Sequence, residues 1–319
     1  MRKIEVVVAK NASEAREYMD QGYCPIECSF GEESVVDELK MDHHGSFSHL
    51  RPVCIRAVGP ALWGVRASDR RFVVAGGPDA DACLAILALC GATTENPHTP
   101  GEVIDLYRLA ARRDRDPHVN LVEACRGDDS AYNGDVVLLW FLQQRFRCWN
   151  EAIEGLQLAF KKWRRKSSYP GFFDDCFEKE KQRIEQAKTD MEAGESYLLP
   201  EVGSSILLVA PQGGFGFDVF YRSYDFVVQM NNSFSSVTVG AKDEETAKRL
   251  GGDGLRKVFK ELSVYSPGWG GSPTVGGSPR GVEMTILDAF RAVQVISCFL
   301  EREGSHQETY EMLRPHLQL

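Results

Sequence analysis

Three potential metal ligands follow one another near the start of the chain. Asp42, His43 and His44 are consecutive, and Gly45 comes directly after them. Carboxylates and imidazoles can bind a divalent cation, and the same groups can transfer protons during catalysis. Short polar triplets also occur by chance in solvated turns, so a function for this one depends on matching ligands elsewhere in the sequence.

A second acidic cluster, GGPDADAC, covers residues 76–83. If its backbone is extended, Asp79 and Asp81 point to the same side, because side chains alternate with a period of two. Both clusters fall where a predicted strand gives way to a loop, which is where open α/β sheets collect functional residues. Carboxylate oxygens with some imidazole suit Mn²⁺ or Mg²⁺, and two such ions about 3.5 to 4 Å apart can drive hydrolysis at phosphorus.

The elements that must position these clusters alternate between strand and helix patterns. The apolar, β-branched run KIEVVVA (3–9) predicts a strand, and NASEAREYMDQG (11–22) predicts a helix that begins with capping residues. CPIECSF (24–30) predicts a second strand, the segment 34–45 predicts a third that ends at the histidines, and 70–91 predicts a strand, a loop and an apolar helix. This alternation favours a parallel sheet flanked by helices.

The pattern then changes along the chain. From about residue 135 the sequence is typical of helices, and a second set of strand patterns follows residue 195. We therefore predict an α/β fold with three parts: a parallel-sheet domain at 1–150, a helical connector between domains at 151–195 and a smaller α/β domain at 196–319.

Composition excludes several classes of protein. A net charge of -9 argues against a stable complex with long nucleic acid, because binding many phosphates needs a basic surface. The nine cysteines are an odd number and no basic-then-apolar leader is visible, so we expect free thiols in a reducing cytoplasm. No apolar run approaches the length of a membrane span.

These residues resemble a known family. Asp42-His43-His44 with Gly45 resembles the signature of the DHH phosphoesterase superfamily, and PDADA resembles its first motif, a histidine, three residues and then Asp-x-Asp. GWGGSPTVGGSPRG (268–281) is similar to the glycine-rich substrate loop of the DHHA1-type domain. The resemblance implies a DHH-like catalytic domain at 1–150 and a DHHA1-like substrate domain at 196–319.

The chain departs from the family pattern in several respects. The Asp-x-Asp motif normally precedes Asp-His-His, whereas here it follows, and Ala75 stands where the family has a histidine ligand. Glu27 stands where the family commonly has an aspartate, and the last family aspartate corresponds to Asp114 or Asp116. The resemblance thus implies a site of two Mn²⁺ or Mg²⁺ ions held by the following residues: Glu27, Asp42, His43, Asp79, Asp81 and Asp114 or Asp116.

The glycine-rich segment has its own physical interpretation. Its glycines can adopt positive φ and let backbone N–H groups converge into an anion-binding nest. Arg280 beside it could hold a phosphate with two hydrogen bonds. A glycine-rich turn between a strand and a helix is the alternative, and His49 either contacts substrate phosphate or fills a surface turn. The predicted substrate-binding residues are Gly270, Gly271, Gly276, Gly277, Arg280 and His49.

The resemblance implies a metal-dependent hydrolase with Asp42, His43 and His44 as its catalytic residues. Its substrates would be small nucleotide phosphodiesters or phosphomonoesters, such as a short oligoribonucleotide (an exonuclease activity), a cyclic dinucleotide or a 3'-phosphonucleotide. Two alternatives remain open at this point: a catalytically degenerate nucleotide-binding or regulatory module, and a manganese pyrophosphatase. The oligomeric state is also open, a homodimer being one option.

Overall fold

A computed structural model describes most of the chain. It covers residues 4–30, 33–44, 47, 50–62, 70–91, 100–115, 135–144, 146–164, 171–192, 196–201, 204–209, 217–221, 223–231, 235–279 and 282–300. The chain divides into two compact units, Met1–Lys181 and Gln182–Leu319, and both contain helices and strands, as an α/β class requires. The division falls inside the segment 151–195 that the sequence predicts as a connector.

The first unit carries short strands and longer helices. Its strands are β1 (Glu5–Val8), β2 (Cys24–Ile26), β3 (Ser29–Phe30), β4 (Glu33–Ser34) and β5 (Arg71–Val74). Its helices are α1 (Ala12–Asp20), α2 (Val53–Leu62), α3 (Ala80–Leu89), α4 (Pro100–Arg115), α5 (Asp135–Leu142) and α6 (Trp149–Arg164). The helix α7 (Asp174–Glu192) begins in this unit and ends in the second.

A parallel sheet of three strands, in the order β1-β5-β2, forms the centre of the first unit. Phe72 of β5 lies opposite Val6 on one side and opposite Cys24 on the other. Phe72, Val73 and Val74 are fully buried, as expected for the central strand of a parallel sheet that is covered on both faces. Because the strands are parallel, the carboxyl ends of β2 and β5 lie at the same edge.

The strand predicted over 34–45 is wrong. Only Glu33–Ser34 forms a strand, which pairs antiparallel with β3, and residues 35–44 have no regular structure. The segment is attached by single hydrogen bonds, from Val35 N to Cys28 O and from Glu27 N to Met41 O, and Lys40 has a positive φ of 49°. A residue in the left-handed region interrupts a strand. The apolar residues of this segment, Val35 and Met41, are therefore buried one by one and not as one face of a sheet.

The helix after β5 is apolar on every side. Residues 81–89 of α3 are all buried, so this helix lies in the interior of the unit and packs against α2. Its N-cap is Asp79, whose side chain accepts a hydrogen bond of 2.8 Å from Ala82 N. Capping by aspartate explains why the helix begins at residue 80, directly after the turn at Gly76 and Gly77.

The second unit is built on a mixed sheet. Its strands are β6 (Ser196–Glu201), β7 (Ser204–Val209), β8 (Phe226–Asn231), β9 (Ser236–Ala241), β10 (Gly270–Gly271) and β11 (Val275–Gly277), in the order β10-β11-β9-β8-β7-β6. The pair β7 and β8 is parallel and the other pairs are antiparallel. Its helices are α8 (Phe217–Phe220), α9 (Glu244–Lys248), α10 (Leu255–Leu262) and α11 (Ile286–Leu300).

Successive residues of β8 pack on opposite faces of this sheet. Val228 belongs to a core with Phe259 of α10 and Phe290 of α11, whereas Val227 packs in a separate cluster with Phe217 of α8. This alternation is the period of two that a strand imposes. The second unit therefore has apolar side chains on both faces of its central strand.

The glycine-rich segment, predicted as a substrate loop, forms the two short strands β10 and β11. Gly270 lies opposite Gly277, and Gly271 lies opposite Gly276. A Cβ atom on Gly276 would overlap Gly270 O and the Phe259 ring, and one on Gly277 would lie 2.8 Å from Val237 O. These two glycines are therefore required by close backbone and ring contacts within the second unit.

We expect Gly276→Ala to destabilise the second unit by about 1–3 kcal/mol, because the added methyl group has no space between Gly270 O and Phe259. Gly270→Ala is the matched control, since its Cβ would meet nothing within 4 Å. Urea unfolding of both variants measures the difference. Equal stability of the two variants would show that the contact around residue 276 is not tight.

The N-cap of α9 gives a pH-dependent prediction. Asp243 accepts a hydrogen bond of 2.7 Å from Thr246 N, and this bond lowers the pKa of Asp243. A lowered pKa stabilises the folded state above the ordinary aspartate pKa, and this contribution is lost as the pH falls through the folded-state value. We expect Asp243→Ala to cost about 1 kcal/mol near pH 7, and less at pH 3. Denaturant unfolding at the two pH values measures the difference in stability between wild type and Asp243→Ala. Asp243→Asn is the control, because asparagine can cap the helix but does not titrate.

Two further features of the described residues concern the length of the helices and the cysteines. None of the helices in the described part of the chain is long and apolar enough to cross a bilayer. The following cysteines are free thiols: Cys24, Cys28, Cys54, Cys83, Cys90, Cys148 and Cys176.

Candidate metal centre

Three carboxylates from distant parts of the sequence converge on one imidazole nitrogen. His43 Nε2 lies 2.8 Å from Glu27 Oε1, 3.5 Å from Asp81 Oδ2 and 3.6 Å from Asp114 Oδ2. Glu27 follows β2, Asp81 lies in the first turn of α3, and Asp114 lies near the end of α4. With His44, these residues form two groups that share His43: Glu27-His43-His44 and His43-Asp81-Asp114. Within each group, the ligand atoms lie within 4.8 Å of one another. We call the five residues the His43 cluster.

The members of the His43 cluster differ in exposure. The side chains of Glu27 and Asp81 are only 3% and 2% exposed, whereas that of Asp114 is 33% exposed. Glu27 also has a positive φ of 49°, an uncommon conformation for a glutamate, while its amide donates to Met41 O at 2.8 Å. A buried acid on a strained backbone is typical of functional sites, where the surrounding structure holds the residue in place.

Asp81 is held by the start of α2. Its Oδ2 accepts a hydrogen bond of 2.7 Å from Val53 N, and its Oδ1 accepts one of 2.9 Å from Cys54 N. Burial raises the pKa of Asp81, the nearby charge of Asp79 adds to this effect, and the hydrogen bonds from Cys54 and Val53 act against it. Each carboxylate oxygen has two lone pairs, so both oxygens can bind an N–H group and a cation together.

His44 of the His43 cluster is hydrogen-bonded to Asp42, which lies outside the cluster. Asp42 is fully buried; its Oδ1 accepts from His44 N at 2.8 Å and lies 3.2 Å from His44 Nδ1, and its Oδ2 accepts from Ser29 Oγ at 2.5 Å. Burial by itself would raise the pKa of Asp42, but the bonds from His44 and Ser29 outweigh it and the pKa lies below its usual range. An ionised carboxylate only accepts hydrogen bonds, so His44 Nδ1 carries a proton and Nε2 faces away from Asp42.

The two sequence clusters meet despite their reversed order. His43 from the first and Asp81 from the second lie 3.5 Å apart. The first cluster reaches the end of β2 through the hydrogen bond from Glu27 N to Met41 O, and the second cluster follows β5, the neighbour of β2 in the sheet. Strand neighbours are determined by the topology of the sheet, so ligands can be adjacent in space in either order of sequence.

The remaining predicted ligands have different placements. Asp42 orients His44, and Asp79 caps α3; neither belongs to a group of ligand atoms within 4.8 Å among the described residues. Asp116, His49 and Arg280 lie outside the described residues. The glycines at 270, 271, 276 and 277 lie in the second unit, in β10 and β11.

Sequence patterns did not indicate three residues that support this centre. Ser29 donates to Asp42 and is itself 2.7 Å from Ser34 Oγ, Arg56 binds the backbone of Asp42, and Trp149 Nε1 donates to Gly76 O at 2.9 Å. Each acts on a buried carboxylate or a carbonyl group. Such partners belong to no motif, and only the fold brings them together.

The donor set of the His43 cluster fits a hard divalent cation. Three carboxylates with imidazole nitrogens are ligands that suit Mn²⁺, and Mg²⁺ accepts the same oxygens. Two of the carboxylates, Glu27 and Asp81, are buried near His43 Nε2, an arrangement that is costly unless positive charge compensates it. A divalent cation would supply that charge and would act against the upward shift in the pKa of Asp81.

No protein-family model matches the chain, and no curated protein sequence is similar to it at a significant level. The likeness to the DHH superfamily therefore depends on the sequence motifs alone.

Proposed function

We propose that the protein is a metal-dependent phosphoesterase that hydrolyses small nucleotide phosphodiesters or phosphomonoesters. The observation that carries this proposal is the convergence of Glu27, Asp81 and Asp114 on His43 Nε2. Carboxylates brought together from three separate elements give a site for Mn²⁺ or Mg²⁺, and hydrolysis at phosphorus is a reaction that such sites carry out.

The residues of the chain divide the work between binding the ion and transferring a proton. Glu27, His43, Asp81 and Asp114 would hold the ion. A bound Mn²⁺ or Mg²⁺ polarises a phosphoryl oxygen and lowers the pKa of water. Asp42 accepts from His44 Nδ1–H, which leaves the Nε2 lone pair of the neutral ring to take a proton from the attacking water and then give that proton to the leaving oxygen.

The substrate class follows from charge and from the family resemblance. The net charge of -9 opposes long polyanions, which would need a broad basic track. A short oligoribonucleotide, a cyclic dinucleotide or a 3'-phosphonucleotide presents few phosphates and needs only local neutralisation.

A catalytically degenerate nucleotide-binding module is the second candidate. Ala75, which is buried, occupies the position of the family histidine, so one ligand of the family site is missing. Such a module would bind an ion and a nucleotide without turnover.

The test measures Mn²⁺ binding by calorimetry and hydrolysis of bis-p-nitrophenyl phosphate, a short oligoribonucleotide and pyrophosphate. Asp114→Asn removes one exposed ligand, and we expect at least about tenfold weaker Mn²⁺ binding with a matching loss of activity. Asp105→Asn is the control, because Asp105 lies on the same helix and pairs with Arg108 at 3.1 Å.

Each outcome selects one function. Diester hydrolysis that falls at least about tenfold in Asp114→Asn and is retained in Asp105→Asn supports the phosphoesterase. Turnover of pyrophosphate alone would assign a pyrophosphatase, and Mn²⁺ binding without any turnover would assign the degenerate module. Wild-type protein that binds no divalent ion overturns the proposal.

A further inference from the structure

The helix α2 contacts two parts of the candidate metal centre, the Asp81 carboxylate and the backbone of residues 39–42. Its first amides, from Val53 and Cys54, donate to the carboxylate of Asp81. Less than one turn later, Arg56 Nη1 donates to Asp42 O at 3.1 Å and Arg56 Nη2 donates to Leu39 O at 3.3 Å. One short helix thus joins the Asp81 turn to the backbone that leads into His43 and His44.

The segment that Arg56 holds has no regular structure to fix it. Residues 39–44 lie outside any strand or helix, and Lys40 has a positive φ. Their backbone contacts include Glu27 N to Met41 O and the local bond from Asp42 N to Lys40 O. The two carbonyl groups that Arg56 binds lie on either side of Lys40 and Met41, so the guanidinium closes this turn.

Arginine suits this position because of its shape and charge. Its planar guanidinium presents several N–H donors in a fixed geometry, which matches two carbonyl acceptors at once. Arg56 is half-buried, and both Asp42 and Asp81 interact favourably with its charge. A lysine would offer a single ammonium group and could not reproduce the two-point contact in the same orientation.

We propose that Arg56 is a positioning residue of the metal centre, which holds residues 39–44 so that His43 and His44 face Glu27, Asp81 and Asp114. The functional part of this inference rests on the proposed metal-dependent function. Arg56 acts through the Leu39 and Asp42 carbonyl groups. It does not act as a ligand.

The test uses the full-length Arg56→Gln variant with two readouts. The first is hydrogen exchange of residues 39–44 in the absence of metal, which we expect to become faster because the two carbonyl contacts are lost. The second is Mn²⁺ affinity, which we expect to fall by about 10–100-fold, the usual effect of removing a residue that orients ligands. Arg108→Gln is the control, since Arg108 is exposed and forms a surface ion pair with Asp105.

Arg56→Lys keeps the charge and serves as the second variant if Arg56→Gln does not fold. We expect Arg56→Lys to show a smaller rise in exchange and a smaller fall in Mn²⁺ affinity than Arg56→Gln. We also expect methylguanidine to restore part of the Mn²⁺ affinity of an Arg56→Ala variant.

Wild-type exchange rates in residues 39–44 of the variants would overturn the inference, and so would faster exchange with unchanged Mn²⁺ affinity. If wild-type protein binds no Mn²⁺, the proposed function fails, and the exchange readout alone decides whether Arg56 positions the segment.

Discussion

We expect Asp42→Asn to lower the rate of phosphoester hydrolysis by about 10²–10⁴-fold while the protein remains folded. Asparagine can keep the hydrogen bonds from His44 to Oδ1, and its amide group can donate to Ser29 Oγ in place of the present bond. The change therefore removes a buried negative charge and little volume. Either oxygen of a carboxylate accepts from Nδ1–H, whereas an asparagine side chain can rotate and present its NH₂ group to the ring, so the His44 tautomer and the role of Nε2 are no longer fixed.

Steady-state hydrolysis of bis-p-nitrophenyl phosphate in Mn²⁺ measures this effect, with Mn²⁺ affinity determined in parallel. Because Asp42 contacts His44 and lies outside the groups of close ligand atoms in the described residues, we expect kcat to fall much more than Mn²⁺ affinity. The exposed Asp105→Asn variant is again the control. Full activity of Asp42→Asn would exclude a role for the Asp42-His44 pair in proton transfer.

The largest expected effect on stability comes from Asp81→Ala, which we expect to reduce the free energy of unfolding of the first unit by about 2–4 kcal/mol. The substitution removes the acceptor of two buried amides, Val53 N and Cys54 N, at the start of α2. Unpaired buried N–H groups are costly, and hydrogen bonds to a carboxylate are stronger than neutral ones. Burial of the Asp81 charge is unfavourable and raises the pKa of Asp81. Removing this charge therefore offsets part of the loss.

Metal-free protein is the right material for this measurement, because binding of an ion would add its own stabilisation. Urea unfolding of Asp81→Ala is compared with Asp81→Asn, which keeps one carbonyl acceptor, and with Asp114→Ala, which removes a more exposed carboxylate. We expect a smaller loss for Asp81→Asn, and less than about 0.5 kcal/mol for Asp114→Ala. Similar losses for Asp81→Ala and Asp114→Ala would contradict the role of Asp81 as the acceptor of the two amides at the start of α2.

The sequence by itself determined the local elements of the first unit. The β-branched run at 3–9 contains β1, the capping residue Asn11 precedes α1, and the apolar run after Asp79 forms α3. These elements depend on periodicity and on caps, which involve residues within one or two turns of each other. The residue types of the centre, carboxylates and imidazoles, are recognisable from the sequence for the same reason, since each cluster is a short run of neighbouring residues.

The tertiary structure alone decided which of these residues meet. It placed Asp114 beside His43, and it paired Asp42 with His44. Asp79 became the N-cap of α3, and the glycine-rich segment formed two strands packed against Phe259. It also brought Arg56 to the Asp42 carbonyl group, a contact that no motif contains. Residue types and spacing are properties of neighbours along the chain. Distances between side chains from separate elements depend on how helices and strands pack, and packing is determined by the whole sequence together.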